Sequence, residues 1–405
     1  MARISLGGIV RSPSRRQARQ NLQDSDRAGQ ISWPLLLASL IALDSGPVLH
    51  LPEMLYRRRA SAPRQPWQGL PTQERQQALY WLLAQRAPQA TLEPLRQWPA
   101  LNRVHWPLPE VLPTISLIIP TRDQLPLLRR CMEGLLEQTD YPALELIVVD
   151  NDSCVPETHT YLAQLQARGV RVLPWPHPFN YATIQNLAVE QARGDIIGLI
   201  NNDIEVRKPG WLKEMLAQLL RPGVGAVSAK LLWPNDMVQH GGVVVGMHGL
   251  AAHTGNEWLA RDPGYLGFNQ LAREQSAVTA ACLLLCKEDW QALGGMDEHH
   301  YPVTFNDVDL CLRLRASGKR LVWTPFACLI HAESASRGKE DTPSKTARAR
   351  REYAHFIRQW TGQGQTDPCY HPALASDWLN GPYGGLALPP RPQTPRYPAP
   401  FKAEI

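Results

Sequence analysis

The chain has 405 residues, 44% of them hydrophobic, enough for two or three structural units and a large core. Its net charge of +5, from 42 basic and 37 acidic residues, is too mild to mark a nucleic-acid binder. Seven cysteines, mostly in apolar runs and without C-x-x-C spacing, fit buried thiols of a reducing compartment better than a disulfide framework or a zinc site.

Residues 1–110 are rich in Arg, Gln and Pro and show little β patterning. The start, Met-Ala-Arg-Ile-Ser-Leu, lacks the apolar region of a signal peptide. Arg11, Arg15, Arg16, Arg19 and Arg57–Arg59 form a basic skirt; it reads as a solvated terminus, with an anionic membrane surface as the alternative partner. Ile31–Leu43 contains Pro34 and falls short of the ~20 residues a membrane span needs, so it predicts a core helix. A helical period runs from Glu74 to Leu83, and Pro99, Pro107, Pro109 and Pro113 make a linker.

From Thr114 the pattern becomes regular. Thr114–Pro120, Leu144–Val149 and Asp195–Ile200 are short apolar runs, each ending abruptly at a polar cluster: Thr121-Arg122-Asp123, Asp150-Asn151-Asp152 and Asn201-Asn202-Asp203. Such runs, alternating with helical patterns over Leu125–Gln138, Glu157–Arg168, Tyr181–Arg193 and Trp211–Leu220, predict parallel strands covered on both faces. A short strand is expected over Val170–Leu173. Ligands of such sheets bind outside the carboxyl ends of the strands, so the three clusters should converge. Residues 111–223 are therefore read as a doubly wound βα half with a ligand crevice at its rim.

Residues 224–335 change to a mixed α+β pattern. They hold a Gly-rich run from Gly241 to Gly246, a loop over Gly255–Gln270, and an apolar strand over Ala277–Cys286. A helix should begin near Asp307, and a strand near Leu321–Trp323 should precede Ile330-His331. Residues 336–405 predict a helix and a Pro-rich tail, extended around the domain or disordered.

The strand-end clusters are acidic or amide-bearing, and no P-loop or dinucleotide fingerprint accompanies them: after Gly223-Val-Gly225, position 228 is serine. Acidic groups where a phosphate would sit imply a bridging Mg²⁺ or Mn²⁺, with Asp203 as the best ligand. Alone, Asn201-Asn202-Asp203 reads equally well as a polar turn capping the next helix, and Asp150-Asn151-Asp152-Ser153 as an Asx turn. In Asn306-Asp-Val-Asp309, helical positions two apart diverge by about 200°, so Asp307 and Asp309 cannot face one cavity. Asp309 and Arg313 make a plausible surface pair. Asp307, in the first turn, is left to face the cleft as a general base, with a simple helix cap as the alternative. His331 ends an apolar strand beside a small-residue loop, a good place for a metal ligand.

Taken in order, Ile118-Ile-Pro-Thr121, Val148-Val-Asp-Asn151, Phe179-Asn-Tyr181 with Asn186, Leu199-Ile-Asn-Asn-Asp203, Val238-Gln-His-Gly-Gly242, Gly294-Gly-Met-Asp-Glu298, Asn306-Asp-Val-Asp309 and His331 resemble a family 2 glycosyltransferase of the GT-A fold. The likeness is strongest to the rhamnosyltransferase-like branch of O-antigen and surface-polysaccharide assembly. It implies an α/β domain, Rossmann-like, with a mostly parallel central sheet and a mixed acceptor half, behind an irregular, partly helical appendage. It also implies inverting, metal-dependent transfer of a sugar, rhamnose from the branch name, from a nucleoside-diphosphate sugar to a hydroxyl of a glycan or lipid-linked acceptor. Nucleic acid has no part in it.

By the same resemblance, Thr121 and Asp150 hold base and ribose, and Arg122, Asp123, Asn186 and Asn202 join the donor pocket. Asp203 binds the metal with Asn201 and His331, and Asp307 deprotonates the acceptor. Asn201 stands where the first D-x-D acid would be, Asn306 where an acid often precedes the base, and Ala280 where glycine is more usual. Val48–Tyr56 resembles the close of a preceding glycosyltransferase domain in tandem relatives, which makes residues 1–110 either such a remnant or a docking segment. The expected location is cytoplasmic, or peripheral at the inner face of the membrane. The competing expectation is a catalytically silent sugar-nucleotide-binding subunit that scaffolds a polysaccharide assembly complex.

Overall fold

The computed structural model describes residues 72–332, 342–361, 367–376 and 381–387. The stretches Ile31–Leu43 and Val48–Tyr56 lie outside them. The chain divides into two compact units at Pro107/Leu108. In the first, helix α1 (Thr72–Arg86) precedes a hairpin of β1 (Thr91–Pro94) and β2 (Asn102–His105), in which Thr91 faces His105. The composition of residues 1–110 did not announce this hairpin. Its strands are four residues each and half-exposed or exposed, so no alternation marks them.

The second unit is built on one twisted sheet. Its first part takes β3 (Ile115–Thr121), α2 (Leu125–Glu137), β4 (Leu144–Asp150), α3 (Pro156–Ala167), β5 (Arg171–Pro174), α4 (Tyr181–Gln191) and β6 (Ile196–Ile200). The second part adds β7 (Ile204–Val206), α5 (Trp211–Leu219), β8 (Val224–Leu232), β9 (Val238–His240), β10 (Val243–Val245), β11 (Ala251–His253), β12 (Arg273–Gln275), β13 (Cys282–Cys286), α6 (Lys287–Ala292), α7 (Asn306–Ala316), β14 (Arg320–His331) and α8 (Pro343–Phe356). The sheet order is β12-β14-β8-β13-β6-β3-β4-β5. Strands β5, β4, β3, β6, β8 and β14 share one direction, and β13 runs against its neighbours β6 and β8. This is the mostly parallel sheet with a mixed second half that the GT-A fold requires.

The apolar runs explain it. Every residue of β6 and β8 is buried, because helices and loops cover both faces. Each such aliphatic side chain contributes roughly 1.5–3 kcal/mol on burial. Gly198 sits where β6 passes β3: a Cβ there would come 2.2 Å from Leu117 Cδ2, so any larger residue would force the buried Leu117 side chain to shift.

Two elements differ from expectation. The strand expected over Ala277–Cys286 pairs with the sheet only at Cys282–Cys286, and residues 277–281 pass over the rim. The strand near Leu321–Trp323 extends to His331, with a bulge between Thr324 and Cys328 at Pro325, a residue that cannot donate to the ladder. Beyond α8, residues 367–376 and 381–387 form turns joined by a bridge of Leu374 to Leu386. The buried Asp367 carboxylate accepts the Val245 and Cys369 N–H groups, each at 2.7 Å, and the Ser276 hydroxyl. Tyr383 stacks on Tyr265 with ring centroids 5.0 Å apart. Among the described residues no helix is long and apolar enough to cross a membrane.

The amino ends of the strands are tied by Glu145. It accepts from Ser116 Oγ at 2.5 Å, the Arg193 N–H at 2.8 Å and Arg171 Nη1 at 2.8 Å. Burial pushes its pKa up, but the Ser116 hydroxyl, the Arg193 amide and the Arg171 guanidinium together hold it below the ordinary 4.5. A depressed carboxylate stabilises the fold above its unfolded pKa and loses that contribution as pH falls through the folded value. Glu145→Gln is therefore expected to cost about 1.5–3 kcal/mol at pH 7. The gap from wild type should close on acidification below 4.5; urea melts across that range test it, and a pH-independent gap contradicts it.

Candidate functional site

The carboxyl ends of β3, β4, β6 and β14 and the start of β13 share one rim of the sheet. Thr121 lies opposite Asp150 in the β3–β4 register. Thr121 and Asn202 are both buried, and Asn202 Nδ2 donates to Thr121 Oγ1 at 3.0 Å, joining the ends of β3 and β6. The Asp150 carboxylate accepts the Ser153 N–H at 3.1 Å, so the Asx turn is real and occupies Oδ1. Arg122 is exposed on the loop after β3.

Two residues expected in the donor pocket also tie loops together. Asp123 Oδ1 accepts the N–H groups of Cys154 at 3.0 Å and Val155 at 2.9 Å, while its own N–H donates to Ser153 Oγ at 2.8 Å. Asp123 and Gln124 hold positive φ of 50° and 52°, and Asp152 across from them 58°. That strain survives because the two loops brace each other. Asn186 Nδ2 donates to the Met296 carbonyl and its Oδ1 accepts the Met296 N–H, both at 2.9 Å. A Cβ at Gly295 would lie 2.3 Å from that Oδ1. These two bonds let Asn186 fix α4 to the 294–296 turn. The adjacent motif residue Asn180 caps α4, its side chain accepting the Thr183 N–H at 3.1 Å.

Asp203 and His331 meet although 128 positions separate them, because β14 pairs antiparallel with β7 and sets His331 opposite Ile204. Both are buried, and Asp203 Oδ1 lies 3.1 Å from His331 Nε2. The distance fits an ion pair, but the geometry does not make a hydrogen bond, and Asp203 Oδ1 is left buried without a donor. Gln239 on β9 decides the tautomer. Its Oε1 takes the His331 Nδ1 proton at 2.6 Å, and its Nε2 donates to the His331 carbonyl at 3.4 Å. The outer nitrogen, Nε2, then presents a lone pair beside the carboxylate, with Asn201 Nδ2 at 3.2 Å.

In that tautomer Nε2 accepts from Asn201 Nδ2, and a cation taken between Nε2 and Asp203 Oδ1 would displace that amide and give the carboxylate oxygen the partner it lacks. Ligands about 2.1 Å from one metal at a right angle stand about 3 Å apart, close to the spacing found. Among the described residues no group of three or more His, Cys, Asp or Glu could hold a metal. Asp203 and His331 fit a Mg²⁺ or Mn²⁺ that takes its remaining oxygens from water and phosphate.

The rim segment 280–281 links this pair to Asp307. The Asn201 N–H donates to the Ala281 carbonyl at 3.0 Å, and the Ala280 N–H donates to Asp307 Oδ2 at 3.0 Å. Asp307, half-exposed in the first turn of α7, also receives the Val308 N–H on Oδ1 at 2.8 Å. Tyr181 Oη donates to the Ala280 carbonyl at 3.4 Å. Asp309 is not the surface residue expected: it is 1% exposed, and burial pushes its pKa up against the opposing pull of Arg313.

Sequence reasoning gave no role to Gln239 or to the 280–281 backbone. No sequence signal marked them: β9 is three residues long and buried throughout, and only in the fold does the strand turn Gln239 to His331 and His240 to the other face. There His240 is fully buried, 2.9 Å from His253 Nδ1, and burial, then His253 and Arg273, hold its pKa well below 6.5.

The chain is 42% identical over 353 residues to the uncharacterized protein y4gI of Sinorhizobium fredii, an alignment covering 86% of this chain and 39% of that protein. It is 41% identical over 332 residues to the O-antigen biosynthesis protein RfbC of Myxococcus xanthus, covering 80% of this chain and 25% of that protein. It thus spans well under half the length of these curated relatives. A solved mannosyltransferase, PcManGT from Pyrobaculum calidifontis in complex with GDP-Man and Mn²⁺, superposes with a TM-score of 0.46 at 19% identity, covering 67% of this chain and 71% of that one. Residues 116–292, which carry the strand-end clusters and the 280–281 rim, match the family model "Glycosyl transferase family 2", and this stretch of the chain is a family 2 glycosyltransferase domain.

Proposed function

We propose that this chain transfers a sugar from a nucleoside-diphosphate donor to a hydroxyl of a growing surface glycan, with inversion at the anomeric carbon. The observation that carries the reading is the Asp203–His331 pair joined to Asp307 through the 280–281 rim. Thr121 and Asp150 mark the nucleoside end of the crevice, with Arg122 beside them. Asp203 and His331, with Asn201 next to them, hold a divalent cation that offsets charge developing on the leaving diphosphate. Asp307 removes the proton from the acceptor hydroxyl as that oxygen attacks the anomeric carbon opposite the breaking bond to the diphosphate. Its two N–H bonds fix the carboxylate, and each oxygen keeps a second lone pair for the acceptor. The kinship with an O-antigen biosynthesis protein supports a surface glycan as acceptor; our reading is a glycan or lipid-linked hydroxyl, met in the cytoplasm or at the inner face of the membrane. Rhamnose is the donor sugar that the branch resemblance favours.

A thermal-shift screen of UDP-glucose, UDP-N-acetylglucosamine, GDP-mannose and dTDP-rhamnose, each with and without Mn²⁺, tests it. One donor is expected to stabilise the protein, by about 2.7 kcal/mol at a hundredfold excess over its Kd, and only with the cation. Absence of a shift under every condition, or binding without release of nucleoside diphosphate, would instead assign the chain to a silent scaffolding subunit.

A further inference from the structure

Phe305, the residue just before α7, holds a φ of 61°. This left-handed conformation costs a non-glycine residue about 1–3 kcal/mol and persists only where the surroundings over-determine it. Those surroundings come from α8 and the chain after it, beyond the stretch that matches the family. Glu352 on α8 is buried, and its Oε2 accepts the Thr304 N–H at 2.7 Å. Its Oε1 lies 3.1 Å from Arg348 Nε, close enough for an ion pair. Phe356, fully buried, stacks on the Phe305 ring with centroids 4.3 Å apart and planes 19° off parallel. Tyr353 meets the same ring edge-on at 5.3 Å.

Helix α8 then passes into a π-helical turn, Ile357–Thr361, a rare geometry frequent at functional sites. The turn brings Gln359 to the Tyr301 hydroxyl, which donates to Gln359 Oε1 at 2.8 Å. Trp360 Nε1 donates to Asp309 Oδ1 at 3.0 Å, and Arg313 Nε donates to the other oxygen at 2.7 Å. Hydrogen bonds from one C-terminal segment therefore grip the turn before Phe305, at Thr304, and the helix after it, at Asp309. Asp307 lies between. The angle at which α7 leaves the Phe305 turn decides whether its carboxylate meets the Ala280 N–H.

We propose that α8 and its π turn are a positioning element for Asp307, with Glu352, Phe356 and Trp360 as positioning residues that touch no substrate. The proposal rests on the reading of Asp307 as the base. Trp360→Phe deletes one donor and keeps the ring. It is expected to lower kcat for nucleoside-diphosphate release, with the donor selected by the screen above, about 10- to 100-fold. The donor KM and the Mn²⁺-dependent thermal shift should not change. In an Asp307→Asn background the same substitution should cost nothing further. Hydrogen exchange over residues 301–308 should accelerate while residues 196–203 stay as protected as before. Glu352→Gln, which keeps an acceptor for the Thr304 amide, should recover part of the kcat lost in Glu352→Ala; if the alanine variant does not fold, Trp360→Phe decides alone. Unchanged kcat, unchanged exchange over 301–308, or an undiminished loss in the Asp307→Asn background overturns the proposal. Wild-type kcat in Asp307→Asn alone removes the base assignment instead, and the exchange measurement still reports whether α8 holds the turn.

Discussion

Asp307→Asn is expected to lower kcat about 100- to 10,000-fold while donor affinity stays as in wild type. The substitution preserves shape, so the first turn of α7 and the Phe305 turn should survive. One oxygen remains to accept either the Ala280 or the Val308 N–H, which now share Oδ2 and Oδ1 between them; the other N–H loses its acceptor, and a small drop in Tm should follow. What is lost is the basic oxygen facing the acceptor hydroxyl. Steady-state release of nucleoside diphosphate, read beside the donor-dependent thermal shift, separates the two effects. Retention of wild-type kcat would sink the assignment, and a parallel loss of donor binding would place Asp307 in the donor pocket.

The second large effect concerns Asp203. Asp203→Asn removes a buried carboxylate whose Oδ1 has no hydrogen-bond donor, so the protein without metal should be as stable as wild type or slightly more stable. The Mn²⁺-dependent part of the donor-induced shift should vanish, and kcat should fall about 1,000-fold, the scale of several kcal/mol of charge stabilisation. His331→Gln should act in the same direction. Loss of stability without metal, with the Mn²⁺ response intact, would make Asp203 and His331 a buried structural pair.

How far the chain could be read follows from particular residues. The ends of β3, β4 and β6 were legible because fully buried strands write continuous apolar runs that stop at polar clusters. Asp203 stood out for the same reason, Asp307 because helical phase set it apart from Asp309, and His331 because it ends an apolar run. How they are brought together did not. Pro325 interrupts β14, so nothing in the pattern showed that one strand carries Leu321 and His331 alike. Gln239 sits on a three-residue strand, too short for alternation to declare itself.

Asp123 and Asn186 carry bonds that no pattern showed. Tight loops leave backbone N–H groups that must find acceptors, and both side chains accept from such groups. Asp309 was placed on the surface because helical phase alone cannot foresee Trp360, which closes over it from a later helix.

The sheet order also bears on how the protein is made. Strand β13 lies between β6 and β8, though both are synthesised before it. A nascent chain that has emerged only as far as β8 therefore holds the β6-β3-β4-β5 sheet with an unpaired edge at β6, and the lone strand β8, whose partners β9, β13 and β14 all come later; such edges pair with other chains. Residues 282–286 join β8 to that sheet when they insert, and His331 reaches Asp203 only after that. Slow translation between Leu232 and Cys282 should therefore raise aggregation, whereas a delay after Cys286 should be far better tolerated.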